Sequence, residues 1–507
     1  MSDNNIENNE QISAQEHEDL FSQRLAKVAE LSEAGIEPFG QRFDGATMIE
    51  KIRESYVEES EEPIKVTAAG RIMAMRTMGN VIFADLRDSS DRIQLFISKK
   101  VVGADAFKLI KRFDIGDIVG VNGELFTTKT GELSIRTSEL TLLSKAMRPL
   151  PEKWHGLTNV EQRYRQRYLD LIDNNDSRDT FKKRFQIIRE IRNFLEKRDF
   201  YEVETPMLQP IAGGASANPF KTFYEALNSP MFMRIAPELY LKRLLVGGFE
   251  RVYELNRNFR NEGMSRRHNP EFTMMEIYQA YGNCESMMDL VEDLVTTVAM
   301  NVFGTLQIKH NEDKIIDLTR PWRRVAYEDL VKEFCGEDWF TQPFENRVAK
   351  AQELKLDVDM NTSDVEVTQE VYEKLIEHTL IQPTFVTRLP KELVPLAKAC
   401  SDNDSLVDVF ELEINGQEIA PGYSELNDPI EQRKRFMEQL EREYENVEEL
   451  ENLDDLIDED FLTAMEHGMP PAGGMGIGID RLVMMLTGAE SIRDVVLFPQ
   501  LRRRKKQ

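Results

Sequence analysis

Cysteine is scarce in this chain of 507 residues: Cys284, Cys335 and Cys400 stand far apart, with no CxxC pair and no His/Cys spacing suited to zinc. That excludes a disulfide scaffold and a zinc module, and predicts buried thiols in a reducing compartment. No apolar run approaches the ~18 to 20 residues a membrane span needs. The opening MSDNNIENNEQ has neither a basic n-region nor an apolar core, so the expectation is a cytoplasmic protein with no membrane partner. Positive charge is also short, with Lys+Arg 64 against Asp+Glu 90 and a net charge of -26. Indiscriminate coating of nucleic acid needs a basic field, so any RNA contact must come from local patches. The Gly-rich IAGGASANPF (Ile211 to Phe220) is neither GxGxxG nor a P-loop, and phosphate cradling there is not expected.

The length exceeds one ordinary core and predicts roughly two to four domains. Residues 1–15 are Asn/Glu-rich and are expected to be disordered. Residues 16–65 form an N-terminal helical extension, in which Leu20, Phe21, Arg24, Leu25, Val28 and Leu31 recur at helical spacing before Gly35 stops the helix. Across 66–145 the texture changes to short alternating strands, five of them with a helical AFKLIKRF after the third, which is the order of an OB-fold barrel. Such barrels stack bases on aromatics beside cations, and Arg76, Phe83, Gln94 and Glu132 supply a cation, a ring, an amide and an acceptor. Pattern alone leaves a small barrel with scattered surface charge equally open.

Residues 146–160 carry two Pro and a Gly and read as a linker. Phe181, Phe185, Ile188, Ile191 and Leu195 then mark one helix face, with YEVETP closed by Pro206 after it. The stretch Arg251 to Tyr281 reads as strand, charged loop, strand. Period two puts Glu254, Asn256, Asn258 and Arg260 on one polar face, and places Glu276 and Tyr278 beside Phe272 and Met274. A carboxylate among apolar neighbours is costly unless something cationic meets it. The loop between holds Glu262, Gly263, Arg266, Arg267 and His268, a cluster of the kind that clamps phosphates, although a solvated hairpin tip has the same composition. Residues 303–398 read as an insertion of mixed helix and strand without catalytic pattern. Glu431 to Asp460 reads as a solvated acidic helix pair, and 501–507 as a basic tail that either touches RNA or is simply solvated.

FELEINGQEIAPGYSELND (Phe410 to Asp428) contains Asn415-Gly416, the strongest short hairpin signal. With those residues in the turn, Glu413 faces Glu418 and Glu411 lies diagonally on the same face. Three like charges there are either an exposed acidic edge or oxygen ligands for Mg2+ alongside substrate phosphates. Glu238 opens a helix, where it compensates the dipole or binds a ligand.

FRNEG followed by RHNPEFTMME resembles motif 2 of the class II aminoacyl-tRNA synthetases, with wording closest to the bacterial lysyl-tRNA synthetases. RDFYEVETPML (Arg198 to Leu208) is similar to motif 1, and GMGIGIDRLVMML (Gly474 to Leu486) to motif 3, in the family's order. RIAPELYLKRL (Arg234 to Leu244) and GYSELND (Gly422 to Asp428) match signatures of the lysine enzymes, and the resemblance runs from about Phe21 to Pro499. It implies an α+β protein, an N-terminal OB-fold β-barrel plus a class II antiparallel-sheet catalytic domain with flanking helices over 161–500. It further implies a homodimer joined through the 181–195 helix and YEVETP.

The implied activity is ATP-dependent ligation of L-lysine to tRNA(Lys) through a lysyl-adenylate. The resemblance gives ATP Arg260, Glu262, Arg267, His268, Phe272 and Arg481, with adenine between Phe272 and Arg481 and with Arg260 and Arg481 catalytic. It gives lysine Gly214, Glu238, Glu276, Tyr278, Tyr423 and Glu425, Mg2+ Glu411 and Glu418, and the anticodon Arg76, Phe83, Gln94 and Glu132. Glu413 lies outside that pattern. So does Pro421, where the family usually has asparagine and proline offers neither the amide nor a backbone donor. For Glu425 a turn-capping role in SELND stands beside the lysine-binding one. A paralogue that lysylates an elongation factor lacks the OB-fold, and aspartyl or asparaginyl enzymes need cations where Glu276 and Glu425 are acidic. A catalytically inactive RNA-binding protein is disfavoured by Arg260, Arg481, Glu411 and Glu418.

Overall fold

The computed structural model describes the backbone of residues 3–58, 62–150, 157, 159–215, 217–310, 314–443 and 457–502, with side chains from residue 18 onward in those ranges except 442–443. Residues 151–156 and 158 of the expected linker, the middle of the acidic run and most of the basic tail lie outside the described residues. The chain divides into two compact units, Met1–Gly156 and Leu157–Gln507.

In the first unit, helix α1 (Asp3–Glu33) meets no Gly or Pro until Gly35, whose φ of +76° ends it. Its first turns are helical backbone in the stretch expected to be disordered, because the Asn/Glu-rich sequence contains no helix breaker. Arg24, on the apolar face, is buried because its guanidinium donates to the carbonyls of Ala146 at 2.7 Å and Arg148 at 2.9 Å. Strands β1 (Lys65–Met78), β2 (Val81–Arg87), β3 (Arg92–Ser98), β4 (Ile118–Thr127) and β5 (Leu133–Ser144) close into a barrel of order β1-β2-β3-β5-β4. Helix α2 (Ala104–Ile110) lies between β3 and β4, as the five-strand reading requires. Alternation sends Ile82, Ala84, Leu86, Ile93, Leu95 and Ile97 inward, each essentially without exposure.

The second unit is built on one sheet. Its strands are β6 (Tyr201–Glu202), β7 (Arg251–Phe259), β8 (Glu271–Ala280), β9 (Arg323–Ala326), β10 (Thr384–Thr387), β11 (Val409–Glu413), β12 (Glu418–Ser424) and β13 (Ala472–Gly478). They lie in the order β9-β10-β11-β12-β13-β8-β7-β6 and pair antiparallel except at the two edges, β9 with β10 and β6 with β7. Along it run helices α3 (Asn175–Glu196), α4 (Glu238–Val246), α5 (Cys284–Phe303), α6 (Pro429–Glu443), α7 (Glu459–Glu466) and α8 (Ile479–Thr487). Met275 and Ile277 of β8 and Met475 and Ile477 of β13 face one side, where they pack with Val291, Leu294 and Val295 of α5. Each such side chain contributes about 1.5–3 kcal/mol on burial. Period two then turns Glu276 and Tyr278 to the opposite side, and that side carries the chemistry.

Three expectations change. Residues 303–398 are woven into the main sheet, supplying β9 and β10. Those strands are four residues long, β9 a partly exposed edge and β10 largely buried, too short for alternation to reveal. On α3, Ile187 and Phe194 join Phe181, Ile191 and Leu195 in the core, whereas Phe185 is 55% exposed. Arg184 of the same helix is buried and reaches Asp480 at 2.6 Å. Cys284 and Cys335 are buried as expected, but Cys400 is only half-buried.

Candidate active site

Strands β7 and β8 set Glu254 directly opposite Glu276. Two carboxylates so placed repel unless each has its own partner. Glu254 accepts from Arg234 at 2.7 Å and from the Thr205 hydroxyl at 2.6 Å, an ion pair with both side chains 1% exposed. Glu276 accepts instead from the Tyr278 hydroxyl at 2.9 Å. Burial, and next the Glu238 carboxylate, push Glu276 up to about 8.

Glu238, first residue of α4, does not cap its helix; its carboxylate accepts from Lys242 Nζ and from the Tyr423 hydroxyl, both at 2.7 Å. Lys242 Nζ also lies 2.5 Å from Glu425, with neither of those side chains exposed. Among the described residues no backbone amide donates to Glu425, which removes its turn-capping reading. Burial pushes Glu425 up to about 8, against the pull of Lys242. Gly214 adopts φ +86°, and a Cβ there would press on Glu238 Cβ at 3.2 Å, so the glycine loop reaches the same pocket. At Gly474 a Cβ would collide with the Glu425 carboxylate and the Tyr278 ring, which is why the β13 stretch is Gly-rich. All six residues expected to bind lysine therefore come together, and Lys242 joins them.

On the same sheet, Arg260 follows β7 and its backbone N–H donates to Pro270 O at 2.9 Å, closing the loop of motif 2. Its guanidinium lies over the Phe272 ring at 5.3 Å and feels Glu418, Glu262 and Glu276. Arg481, in the first turn of α8, donates to the Glu418 carbonyl at 2.9 Å and contacts His268 Nε2 at 3.0 Å. Phe272 is thus faced by Arg260, and Arg481 is held by Glu418 and His268. Burial, and next the charge of Arg481, keep His268 below its ordinary value. Arg267 stands 3.7 Å from Glu377. Glu262 is exposed in the loop.

The carboxylate hairpin forms as its sequence predicts, with Asn415 at φ +63°, Gly416 at φ +66° and Glu413 opposite Glu418. Burial and the neighbouring Glu418 push Glu411 up to about 8, and Glu413 keeps a buried carboxylate oxygen without a hydrogen-bond partner among the described residues. Carboxyls under such strain suit a divalent cation. Among the described residues, however, no three His, Cys, Asp or Glu side chains converge on one point. Glu411 and Glu418 therefore fit a cation that takes its remaining oxygens from water and phosphate, the habit of Mg2+.

On the barrel, Arg76 is the cross-strand partner of Phe83, and Phe83 of Phe96. Phe83, Phe96 and Phe126 form an edge-to-face row with centroids 5.5 Å apart at each step, capped by Arg136 4.6 Å from the Phe126 centroid. Gln94 accepts from Ser134 at 3.0 Å, and Glu132 is exposed two residues before that serine. The row extends the four expected positions by Phe96, Phe126 and Arg136.

Comparison with known proteins agrees with this geometry. Residues 159–502 match the family model described as tRNA synthetases class II (D, K and N), and residues 66–143 the one described as OB-fold nucleic acid binding domain. The lysine–tRNA ligase of Syntrophomonas wolfei is 52% identical over 490 residues, covering 96% of this chain and 98% of that protein. That of Carboxydothermus hydrogenoformans is 50% identical, covering 97% and 99%, and that of Moorella thermoacetica 49%, covering 96% and 98%. The chain belongs to the class II tRNA synthetases and, within them, to the lysine–tRNA ligase family.

Proposed function

We propose that the chain activates L-lysine with ATP to lysyl-adenylate and transfers the lysyl group to tRNA(Lys). The observation that carries this reading is the position of Arg260, which follows β7 and lies 5.3 Å over the ring of Phe272 on β8, the strand that carries Glu276. A substrate carboxylate and an α-phosphate can meet at that guanidinium, with ammonium groups in the acids on one side and phosphates on the other. Glu425 and Tyr278 would hold the ε-ammonium, and Glu238, Gly214 and Tyr423 the α-ammonium, with Glu276 between the two ends. An ammonium taken out of water needs such paired acceptors.

The lysine carboxylate, already ionised, attacks the α-phosphorus in line; an oxygen–phosphorus bond forms, the bond to pyrophosphate breaks, and no general base is required. Arg260 stabilises charge at that phosphorus, while Arg267 and His268 orient the γ-phosphate and Glu262 the adenine edge, with Phe272 and Arg481 bracketing the base. A Mg2+ ion held at Glu411 and Glu418 would neutralise polyphosphate charge. Catalysis is then positioning and preorganised charge. In the second step the 3′-terminal hydroxyl of the tRNA attacks the lysyl carbonyl and AMP leaves, while Arg76, Phe83, Gln94 and Glu132 read the anticodon on the barrel.

The protein would act in the cytoplasm as a homodimer. Exposed Phe185, Tyr201 and Phe249 on α3, β6 and the turn before β7 support that association, and no described helix is long and apolar enough to cross a membrane. Lysine-dependent exchange of pyrophosphate into ATP tests the reading, and its absence at every lysine concentration would overturn it.

A further inference from the structure

Sequence makes Lys242 look ordinary, since it stands four residues after Glu238 on α4 and such a pair on a helix surface adds about 0.3–0.5 kcal/mol. Burial makes it something else. Its side chain has no exposure, and its ammonium meets a second carboxylate from outside the helix, Glu425, at 2.5 Å as well as Glu238 at 2.7 Å. The Tyr423 ring lies 5.6 Å from the same ammonium. Nothing in the adenylation chemistry uses this lysine.

We infer that Lys242 is a positioning residue, a built-in counter-ion that bridges Glu238 and Glu425 and sets the charge of the amino-acid pocket to match a ligand with two ammonium groups. The inference rests on the lysine-activating reading above. Three acids face the pocket, Glu238, Glu276 and Glu425; with one fixed ammonium, full ionisation leaves two negative charges. Lysine brings two ammonium groups, its carboxylate being directed to Arg260. Without Lys242, three charges would remain for two ammoniums, and one acid would have to keep a proton.

Tyr278 and Tyr423 donate hydrogen bonds to Glu276 and Glu238, while Arg234, before α4, and Arg260, just after β7, act on Glu276. None of these replaces the cation between Glu238 and Glu425. Glu276, which accepts from Tyr278 and has no ammonium beside it, is raised to about 8, so lysine must displace its proton and should bind better as pH rises toward 8. Removing Lys242 moves that limb to higher pH.

The test is pyrophosphate exchange against lysine, ATP and pH for the full-length wild type, Lys242→Met, Lys242→Arg, Glu425→Gln and the Lys242→Met/Glu425→Gln double variant, with melting temperatures alongside. Lys242→Met should raise the lysine KM at least tenfold at pH 7, leave the ATP KM within about twofold, and shift the lysine pH profile upward; Lys242→Arg should restore the profile in part. The double variant returns the pocket to two negative charges, so its lysine KM should fall below that of Glu425→Gln alone. Because it leaves neither an unpaired ammonium nor an extra acid, it carries the test even where Lys242→Met does not fold. A double variant worse than both single ones, or a Lys242→Met protein with lower melting temperature but unchanged lysine KM and pH profile, would overturn the inference. Wild-type exchange that ignores lysine would overturn the parent reading instead.

Discussion

Glu425→Gln isolates what makes the substrate lysine, because glutamine keeps the shape and removes only the charge. Glu425 is 1% exposed and its carboxylate is committed to a cation already, Lys242 at 2.5 Å. An incoming ε-ammonium therefore shares a desolvated carboxylate, the setting in which loss of one charged partner costs about 2–5 kcal/mol. At about 1.4 kcal/mol per decade, that is roughly 30-fold to several thousand-fold in lysine affinity. The assay is initial-rate pyrophosphate exchange with lysine varied at saturating ATP, then ATP varied at the highest usable lysine. The lysine KM should rise by that factor and the ATP KM by less than about threefold. Stability should move little, since Lys242 keeps Glu238 and the variant no longer ionises a buried acid. A lysine KM within twofold of wild type would refute the reasoning and leave lysine specificity without a residue.

Arg260→Ala should remove charge stabilisation at the α-phosphate, costing on the order of 3 kcal/mol or about a hundredfold in exchange rate; near-normal exchange in a folded variant would sink that role. Phe83→Ala should lose ~1 to 3 kcal/mol of base stacking, raising the tRNA KM in aminoacylation and sparing exchange. A parallel fall of both activities would place the defect in folding instead. Glu276 and Glu411, raised from 4.5 to about 8, hold protons that the unfolded chain gives up. Stability of the ligand-free protein must therefore fall as pH climbs between those values. His268 and His310, held below 6.5, act oppositely on the acid side of that value. The fall in melting temperature should be clearest between about pH 6.5 and 8, and a flat profile there would count against two neutral buried acids.

What the sequence revealed and what it hid divide along physical lines. The Asn415-Gly416 turn was legible because few dipeptides adopt two successive positive φ angles, and once placed it fixed Glu413 opposite Glu418. Period two correctly set Glu276 and Tyr278 on one face, and motif wording gathered Gly214, Glu238, Tyr423 and Glu425, which the fold brings into one pocket. Lys242 stayed hidden because a lysine at helical spacing from a glutamate looks like a solvated pair, and only the approach of Glu425 across the chain shows otherwise. Strands β9 and β10 escaped because four residues are too few to carry a period. Phe96 and Phe126 escaped because alternation assigns a face but not the neighbouring strand that completes a row of rings. Phe185 was misplaced, its place in the core being taken by Ile187 two residues on. The contact of Arg260 with the Phe272 ring was not legible, since it depends on loop geometry beyond Phe259.

The central claim is that this pocket selects lysine for activation, and the most direct measurement is pyrophosphate exchange by the wild-type protein with each of the twenty amino acids supplied singly. The account predicts exchange with lysine at a rate far above that with arginine, asparagine or aspartate. Exchange driven by an acidic or neutral amino acid, or none with lysine, would contradict it.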